Sequence, residues 1–215
     1  MPTSLRTKTI AISRQQGSGG SFIARAVADR LGLRYIDREL LRLAAEYLRG
    51  TDDEIATPLS SWWSRLSNAF ASGGADCGYV PPSCDAVYEG ELFDIEQRLL
   101  AEIVDEQDAV IVGRGAAQTL RGRAGVVSVF LYAPEPQRID RVQRIYQLAD
   151  QGAARRMVRR SDVDRAQFVR ALNGCDWTDL RGYDLVVDTS AIGFDATVDV
   201  IIRAAEAQAP HPAES

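Results

Sequence analysis

The feature that most constrains the fold is a strand, loop, helix and strand pattern near the start of the sequence. A buried strand is predicted for residues 9–12, where an apolar run precedes a glycine-rich loop. Apolar residues then recur every fourth position at Ile23, Val27 and Leu31, as on one face of a helix, and Gly32 is its expected end. A second strand is predicted for residues 33–36. This order predicts a βαβ unit with two parallel strands.

Three further apolar runs extend the pattern, at residues 109–112, 126–132 and 183–187. Their residues do not alternate strictly between apolar and polar, which is typical of parallel strands covered on both faces. The sequence therefore predicts an α/β fold with a doubly wound parallel sheet. We expect a single domain at residues 1–206, followed by a disordered tail at residues 207–215.

Charge is unevenly distributed along this chain of 215 residues, whose net charge is -5. Residues 46–108 hold 14 acidic side chains and three arginines, whereas residues 138–170 hold nine arginines and four aspartates. The net acidity argues against nucleic acid as a partner, and the local basic segment predicts a specific anion site. No apolar run is long enough to span a bilayer, the N-terminal residues hold no signal-peptide core, and the three cysteines have no paired spacing. We therefore expect a cytoplasmic protein with free thiols and no membrane partner.

The loop after the first strand is a candidate phosphate site. It comprises Gly17, Ser18, Gly19, Gly20 and Ser21. Glycines allow successive N–H groups to face one anion, and the start of a helix adds the positive end of its dipole. Compared with the pattern G-x-x-x-x-G-K-[ST], Gly19 and Ser21 match, whereas Arg14 replaces the first glycine and Gly20 replaces the lysine. A glycine-rich turn without a ligand is the alternative interpretation.

Arginine is the candidate to supply the charge of the missing lysine, because Lys8, the only lysine, precedes the first strand. Arg14 follows that strand directly, and a guanidinium carries a permanent charge and can bind phosphate through two hydrogen bonds. A surface ion pair is equally compatible with its position. Further along, a group of arginines could form a mobile lid over bound phosphates: Arg144, Arg155, Arg156, Arg159 and Arg160. An exposed basic helix paired with the acidic segment is the alternative.

Together with segments further along the chain, the loop resembles the cytidylate kinase-like family, a branch of the P-loop nucleoside monophosphate kinases. The resemblance rests on residues 12–14, 17–20, 35–40, 110–116, 162–165, 176–177, 183–185 and 189–190. It implies a three-layer P-loop NTPase-type fold with a five-stranded parallel sheet. It also implies a helical nucleotide-monophosphate-binding insert near residues 50–92 and an arginine-rich lid near residues 144–160.

The same resemblance implies ATP and Mg²⁺ as cofactors, with transfer of the γ-phosphate to a pyrimidine nucleoside monophosphate. Small-molecule nucleotides are therefore the expected partners, and the oligomeric state is left open. Acceptor binding is implied for Asp37, Arg114, Asp162 and Arg165, with Asp162 facing the cytosine amino group. Ser21 is the expected magnesium ligand. The catalytic candidates are Arg14, Arg114, Arg155 and Arg159.

Three residues depart from the family pattern. Gly20 replaces the lysine, Gly115 replaces an aspartate, and Arg38 replaces a serine that contacts the base. Two other functions therefore stay open. One is a nucleotide-binding regulator without catalysis, and the other is a kinase of a non-nucleotide alcohol that uses Asp37 as general base. Asp37 could also cap a helix that begins near Glu39.

Overall fold

The computed structural model describes residues 9–38, 41, 90–106 and 108–207 of the chain. The strands are β1 (Thr9–Arg14), β2 (Arg34–Asp37), β3 (Ala109–Val112), β4 (Val126–Tyr132) and β5 (Leu185–Asp188). The helices are α1 (Gly20–Leu31), α2 (Gly90–Glu106), α3 (Ala116–Thr119), α4 (Glu135–Ile145), α5 (Gln151–Asn173), α6 (Thr189–Ile192) and α7 (Phe194–Ala207). A 3-10 turn spans Leu180–Gly182.

The five strands form one parallel sheet in the order β2-β3-β1-β4-β5, which confirms the predicted sheet. Two strands begin later than predicted. Leu33 lies just beyond the last residue of α1 and completes its C-terminal cap, because its N–H donates to the carbonyl of Ala28 at 2.9 Å. Tyr183 closes the 3-10 turn through its N–H, which donates to the carbonyl of Leu180 at 3.3 Å. The carboxyl ends of β2, β3 and β1 lie side by side, and this edge carries most of the predicted site.

Helices cover both faces of the sheet. On β4, Val127, Val129 and Leu131 pack into a core that also includes residues of α1 and α7. The intervening Phe130 packs instead against Val169 of α5 and against Trp177. Because successive strand residues point to opposite faces, the two clusters lie on opposite sides of the sheet. This arrangement confirms the predicted three-layer α/β fold.

Helices α4 and α5 form a hairpin with a small core of its own. That core consists of Ile139, Val142, Ala154 and Val158. The Asp150 side chain starts α5 by accepting a hydrogen bond from the N–H of Ala153 at 2.7 Å. The apolar residues form a narrow stripe on each helix, and the arginines of the hairpin lie outside that stripe.

The chain divides into two compact units, one drawn from residues 1–37 and 107–215 and the other from residues 38–106. The first contains the sheet and the hairpin; in the second, the structure describes α2, on which Leu99, Leu100 and Ile103 are buried. The predicted insert falls outside the described residues as far as residue 89, and so does the tail beyond residue 207. Among the described helices, none combines the length and apolar character needed to cross a membrane.

Candidate functional site

The loop between β1 and α1 is called the phosphate loop below, after the ligand that the sequence predicts for it. It is a tight turn, closed by hydrogen bonds from Ser18. The N–H of Gln15 donates to the carbonyl of Leu131 at 3.0 Å, which fixes the start of the loop against β4. Ser18 then donates twice to the carbonyl of Gln15, from its N–H at 3.2 Å and from its Oγ at 2.9 Å. Gly17 and Gly19 have φ angles of 82° and 86°, in the left-handed region that glycine adopts without strain.

Three carbonyl groups of the loop are held from outside it. The carbonyl of Gln16 accepts from Arg138 at 3.0 Å, and that of Gly17 accepts from Arg141 at 2.6 Å. The carbonyl of Ser18 accepts from the buried hydroxyl of Thr189 at 2.7 Å. Because a trans peptide is planar, the N–H of the following residue points away from each held carbonyl. The outer contacts therefore set the direction of the N–H groups of Gly17 and Gly19.

The N–H groups on the inner side of the loop are available for a ligand. Within the part of the chain that the structure describes, those of Gly17, Gly19, Gly20 and Ser21 have no hydrogen-bond partner. Gly20 and Ser21 open α1, where the first N–H groups have no intrahelical acceptor and the helix dipole is positive. This arrangement fits an anion with several oxygens, as the sequence predicts.

Arg14 runs from the phosphate loop to the end of β3. A Cβ atom on Gly20 would lie 2.7 Å from Cβ of Arg14 and 2.6 Å from its Cγ. At the far end, a Cβ atom on Gly113 would lie 3.2 Å from Cζ of the same arginine and closer still to its Nη1. The aliphatic part of Arg14 therefore fills the space in which a lysine side chain at position 20 would begin. Its guanidinium lies beside the turn that leads to Arg114.

The turn after β3 places a second arginine at the same edge of the sheet. Arg114 has a φ of 53°, and its guanidinium lies over the Phe168 ring of α5, 5.4 Å from the ring centre. Gly115 has a φ of 70°, and a Cβ atom there would collide with the Leu172 side chain. An aspartate, which the family pattern carries at this position, would have to adopt this left-handed backbone and displace the Leu172 side chain.

Asp37 ends β2 opposite Val112, next to the same turn. Whether it also caps a following helix depends on residues outside the described ones. Two positions earlier, the guanidinium of Arg25 lies 4.6 Å from the centre of the Tyr35 ring. Burial raises the pKa of Tyr35, and the nearby charge of Asp37 raises it further. The closeness of Tyr35 to Asp37 has a signal in the sequence, because the two-residue period of a strand places both residues on one face.

Asp162 and Arg165 of α5 contact the phosphate loop. One Asp162 oxygen accepts from the N–H of Gln16 at 2.9 Å and the other from Arg138 at 2.6 Å. Arg165 donates to the side-chain oxygen of Gln16 at 3.0 Å. The structure thus brings both residues to the back of the loop, where they touch Gln16. The acceptor role that the resemblance implies for them stays a prediction.

The arginines that contact the loop are not those predicted for the lid. Arg155 and Arg159 are exposed on α5, and Nε of Arg159 donates to Glu135 at 2.7 Å, which holds the pKa of that carboxyl below its usual range. Arg138 and Arg141 of α4 hold the loop instead. Their spacing of three residues puts both on one helix face, but charge alone does not distinguish them from the other arginines.

An aromatic pair borders the loop on the side of α7. A Cβ atom on Gly19 would lie 2.5 Å from Cε1 of Phe194, so the ring packs directly against this glycine. Arg141 lies 4.5 Å from the centre of the same ring, and the Phe22 ring is 5.6 Å away. Phe22 is 61% exposed. This edge therefore offers an apolar surface and a guanidinium next to the available N–H groups of the loop.

A bound magnesium ion would find few protein ligands at this site. Within the described residues, no group of three or more histidine, cysteine, aspartate or glutamate side chains is placed to hold a metal. Ser21, at the start of α1, carries an exposed hydroxyl on one of the residues whose N–H group is available. The arrangement fits a magnesium ion held mainly by phosphate oxygens and water, with Ser21 as a protein ligand.

Comparison with known proteins agrees with this architecture. A cytidylate kinase of Ignicoccus hospitalis is 26% identical over 194 residues, which cover 90% of this chain and 96% of the relative. A solved structure of an uncharacterized protein from Eubacterium ventriosum has a TM-score of 0.69 at 20% identity and covers 93% of this chain and 99% of its own. Shikimate kinase from Bacteroides thetaiotaomicron shares the fold with a TM-score of 0.50 at 16% identity, covering 91% of this chain and 96% of its own.

The fold is thus that of P-loop kinases, and the sequence resemblance is borne out over most of the chain. The sequence model of the family described as "Cytidylate kinase-like family" matches residues 9–191, from β1 to α6. The matched range includes the phosphate loop, the turn after β3 and the hairpin. The chain belongs to the cytidylate kinase-like family.

Proposed function

We propose that this chain transfers the γ-phosphoryl group of ATP to a nucleoside monophosphate, and that the acceptor carries a pyrimidine base. The observation that carries the proposal is the course of Arg14, which begins at the position of the missing lysine and ends beside the turn of Arg114. A guanidinium there lies between the loop that would hold the donor and the strand end that would hold the acceptor. The pyrimidine base is supported by the name of the curated relative, cytidylate kinase.

On the donor side, the available N–H groups of the loop would bind the phosphates of ATP. Ser21 would hold magnesium, which supplies positive charge to the phosphate oxygens as the γ-phosphoryl group is transferred. The charge that lysine provides in related loops would come from Arg14. All of these groups lie on β1, α1 and the loop between them, so the donor half of the site is built from one continuous segment.

On the acceptor side, the charges favour a phosphate over a neutral hydroxyl. Arg14 is the last residue of β1 and Arg114 follows the neighbouring strand β3, and two guanidinium groups match a doubly charged phosphate. The oxygen of a monophosphate is already ionised, so its attack on the γ-phosphorus requires no general base. The bond from that phosphorus to the bridging oxygen then breaks, and ADP leaves with the electron pair. An alcohol would instead have to lose a proton to a base such as Asp37.

The exposed arginines of α5 would complete the site on closure. Arg155, Arg159 and Asp162 follow at intervals of four and three residues, so they lie along one face of the helix. Asp162 contacts the loop, and at about 1.5 Å per residue Arg159 and Arg155 lie about 4.5 and 10 Å further along the axis. We propose that both reach the transferred phosphate when the hairpin closes, which would exclude water.

Turnover and ATP binding measured on the same variants test the proposal. Wild type should release ADP in a coupled assay with at least one member of a panel of nucleoside monophosphates. Arg14→Ala should lower turnover by about 100-fold, because its charge matters most as charge develops on the bridging oxygen, while ATP affinity by calorimetry changes by less than about threefold. Arg30→Ala is the matched control, since it removes an exposed guanidinium at the other end of α1 that pairs with Asp199.

A nucleotide-binding regulator is the second candidate, favoured by the same replacement of lysine by Gly20. It predicts that wild type binds ATP but releases no ADP above background with any monophosphate, even at high protein concentration. Arg14→Ala would then change affinity alone. A wild type that behaves in this way would refute the kinase proposal.

A further inference from the structure

Gln16 is held at three atoms by two helices of the hairpin. Its N–H donates to Asp162, its carbonyl accepts from Arg138, and its side-chain oxygen accepts from Arg165. The hydroxyl of Ser161 also lies 3.5 Å from that side-chain oxygen. Gln16 itself is only 7% exposed. The position of this one residue of the loop is therefore determined by residues more than 120 positions away along the chain.

Arg138 is the centre of the network. It is 6% exposed, and it donates to the carbonyls of Ala133 and Gln16 as well as to Asp162. The carbonyl of Ala133 follows β4, so the guanidinium joins the sheet, the loop and α5. A buried guanidinium requires a negative partner, because burial of an unpaired charge is strongly unfavourable. Asp162 supplies that charge at 2.6 Å.

The network acts on an N–H group that faces the predicted ligand. The carbonyl of Gln16 and the N–H of Gly17 belong to one planar peptide, so they point in opposite directions. When Arg138 holds the carbonyl, the N–H of Gly17 is directed to the inner side of the loop. It is one of the N–H groups without a hydrogen-bond partner among the described residues. Loss of the Arg138–Asp162 pair would let this peptide rotate, so that the N–H of Gly17 would no longer face the inner side of the loop.

We propose that Arg138 and Asp162 are positioning residues that orient the Gln16–Gly17 peptide of the phosphate loop, so that Asp162 controls binding of the donor nucleotide and does not read the acceptor base. The inference rests on the proposed binding of ATP at this loop. Asp162 accepts two charge-assisted hydrogen bonds within the protein, one from the N–H of Gln16 and one from Arg138. Both of its oxygens already have partners.

Asp162→Asn tests the proposal, because asparagine keeps the shape of the side chain and removes its charge. ATP and CMP are titrated separately into wild type and variant by calorimetry, without the second nucleotide, so that no turnover occurs. We expect ATP to bind about tenfold more weakly and CMP to bind within about twofold of wild type. In steady-state assays, KM for ATP should rise while kcat at saturating ATP is largely retained. Asp199→Asn, which breaks the exposed pair with Arg30, is the control and should change neither affinity.

The outcomes separate this inference from the proposed function. Weaker CMP binding with unchanged ATP binding would show that Asp162 reads the acceptor, and equal or absent losses for both would also overturn the proposal. If wild type binds no ATP, the proposed function fails, and amide hydrogen exchange then decides the positioning role. Exchange at residues 15–19 should rise about tenfold in Asp162→Asn without a rise in the sheet, and unchanged exchange would overturn the inference. Should that variant not fold, Gln16→Met, which removes the side-chain contacts to Arg165 and Ser161, should still weaken ATP more than CMP.

Discussion

Alanine at position 20 tests whether Arg14 fills the space in which a phosphate-loop lysine would begin. The added Cβ would lie 2.7 Å from Cβ of Arg14 and 2.6 Å from its Cγ, and neither atom can move far because both lie at the root of the side chain. Overpacking of this kind destabilises by about 1–3 kcal/mol. The higher helix propensity of alanine stabilises the folded state by at most about 1 kcal/mol relative to glycine. We therefore expect Gly20→Ala to lower the free energy of unfolding by about 1–2 kcal/mol.

Urea unfolding of Gly20→Ala and wild type measures this loss, and Gly182→Ala serves as the control. A Cβ atom on Gly182 would meet no atom within 4 Å, so this change should stay within about 0.5 kcal/mol of wild type. In an Arg14→Gly background, which removes both contacting atoms, Gly20→Ala should lose most of its effect. The two changes should thus be coupled by about 1–2 kcal/mol.

Gly20→Lys would cause the same steric overlap with Arg14 and would add a second cation beside the Arg14 guanidinium. It should therefore lower ATP affinity instead of restoring an ordinary phosphate loop. A Gly20→Ala variant as stable as wild type, or a Gly20→Lys variant that binds ATP more tightly, would refute this account of the loop.

Three further predictions follow from neighbouring parts of the site. In urea unfolding, Gly115→Ala should lose about 3 kcal/mol of stability and Gly122→Ala only about 1 kcal/mol. Both glycines have positive φ, but only a Cβ atom on Gly115 would meet the Leu172 side chain. Equal losses would contradict that packing. Arg114→Ala should weaken nucleoside monophosphate binding by about 1.5–3 kcal/mol, or about 10- to 100-fold, and calorimetry should show ATP binding nearly unchanged. Equal losses for the two nucleotides would contradict the assignment of Arg114 to the acceptor site. Because the folded state raises the pKa of Tyr35 above its ordinary value of 10.0, the contribution of Tyr35 to stability should be constant below pH 10.0 and fall as pH rises further. Tyr35→Phe should reduce that fall in thermal unfolding, and an unchanged pH dependence would contradict the assignment.

The sheet and the loop could be predicted from the sequence because their signals are local. Each strand is a short apolar run, and the glycines that form the loop are adjacent to the strand and helix that support it. Even the late start of β2 is a local effect, since Leu33 completes the end of α1. These features depend on interactions between residues close together in the chain, which periodicity and glycine positions express directly.

The contacts that hold the loop could not be predicted in the same way. Gln16 and Asp162 are 146 positions apart, and their hydrogen bond exists only because the hairpin packs beside β4 and the loop. Nine arginines in residues 138–170 have the same charge, so sequence composition identified a basic segment but not which members are buried. The structure shows that Arg138 turns inward, whereas Arg155 and Arg159 are exposed. Side-chain burial of this kind is set by tertiary packing.

In the turn at Gly113, Arg114 and Gly115, backbone strain at Arg114 opposes the role in acceptor binding that we propose for it. All three have positive φ, at 84°, 53° and 70°, and Arg114 alone carries a side chain that disfavours this conformation. Left-handed backbone at a non-glycine residue costs about 1–2 kcal/mol. Glycine at position 114 would relieve that strain but discard the guanidinium. Selection of this chain for thermostability alone would therefore favour loss of the arginine, whereas selection for acceptor binding would retain it.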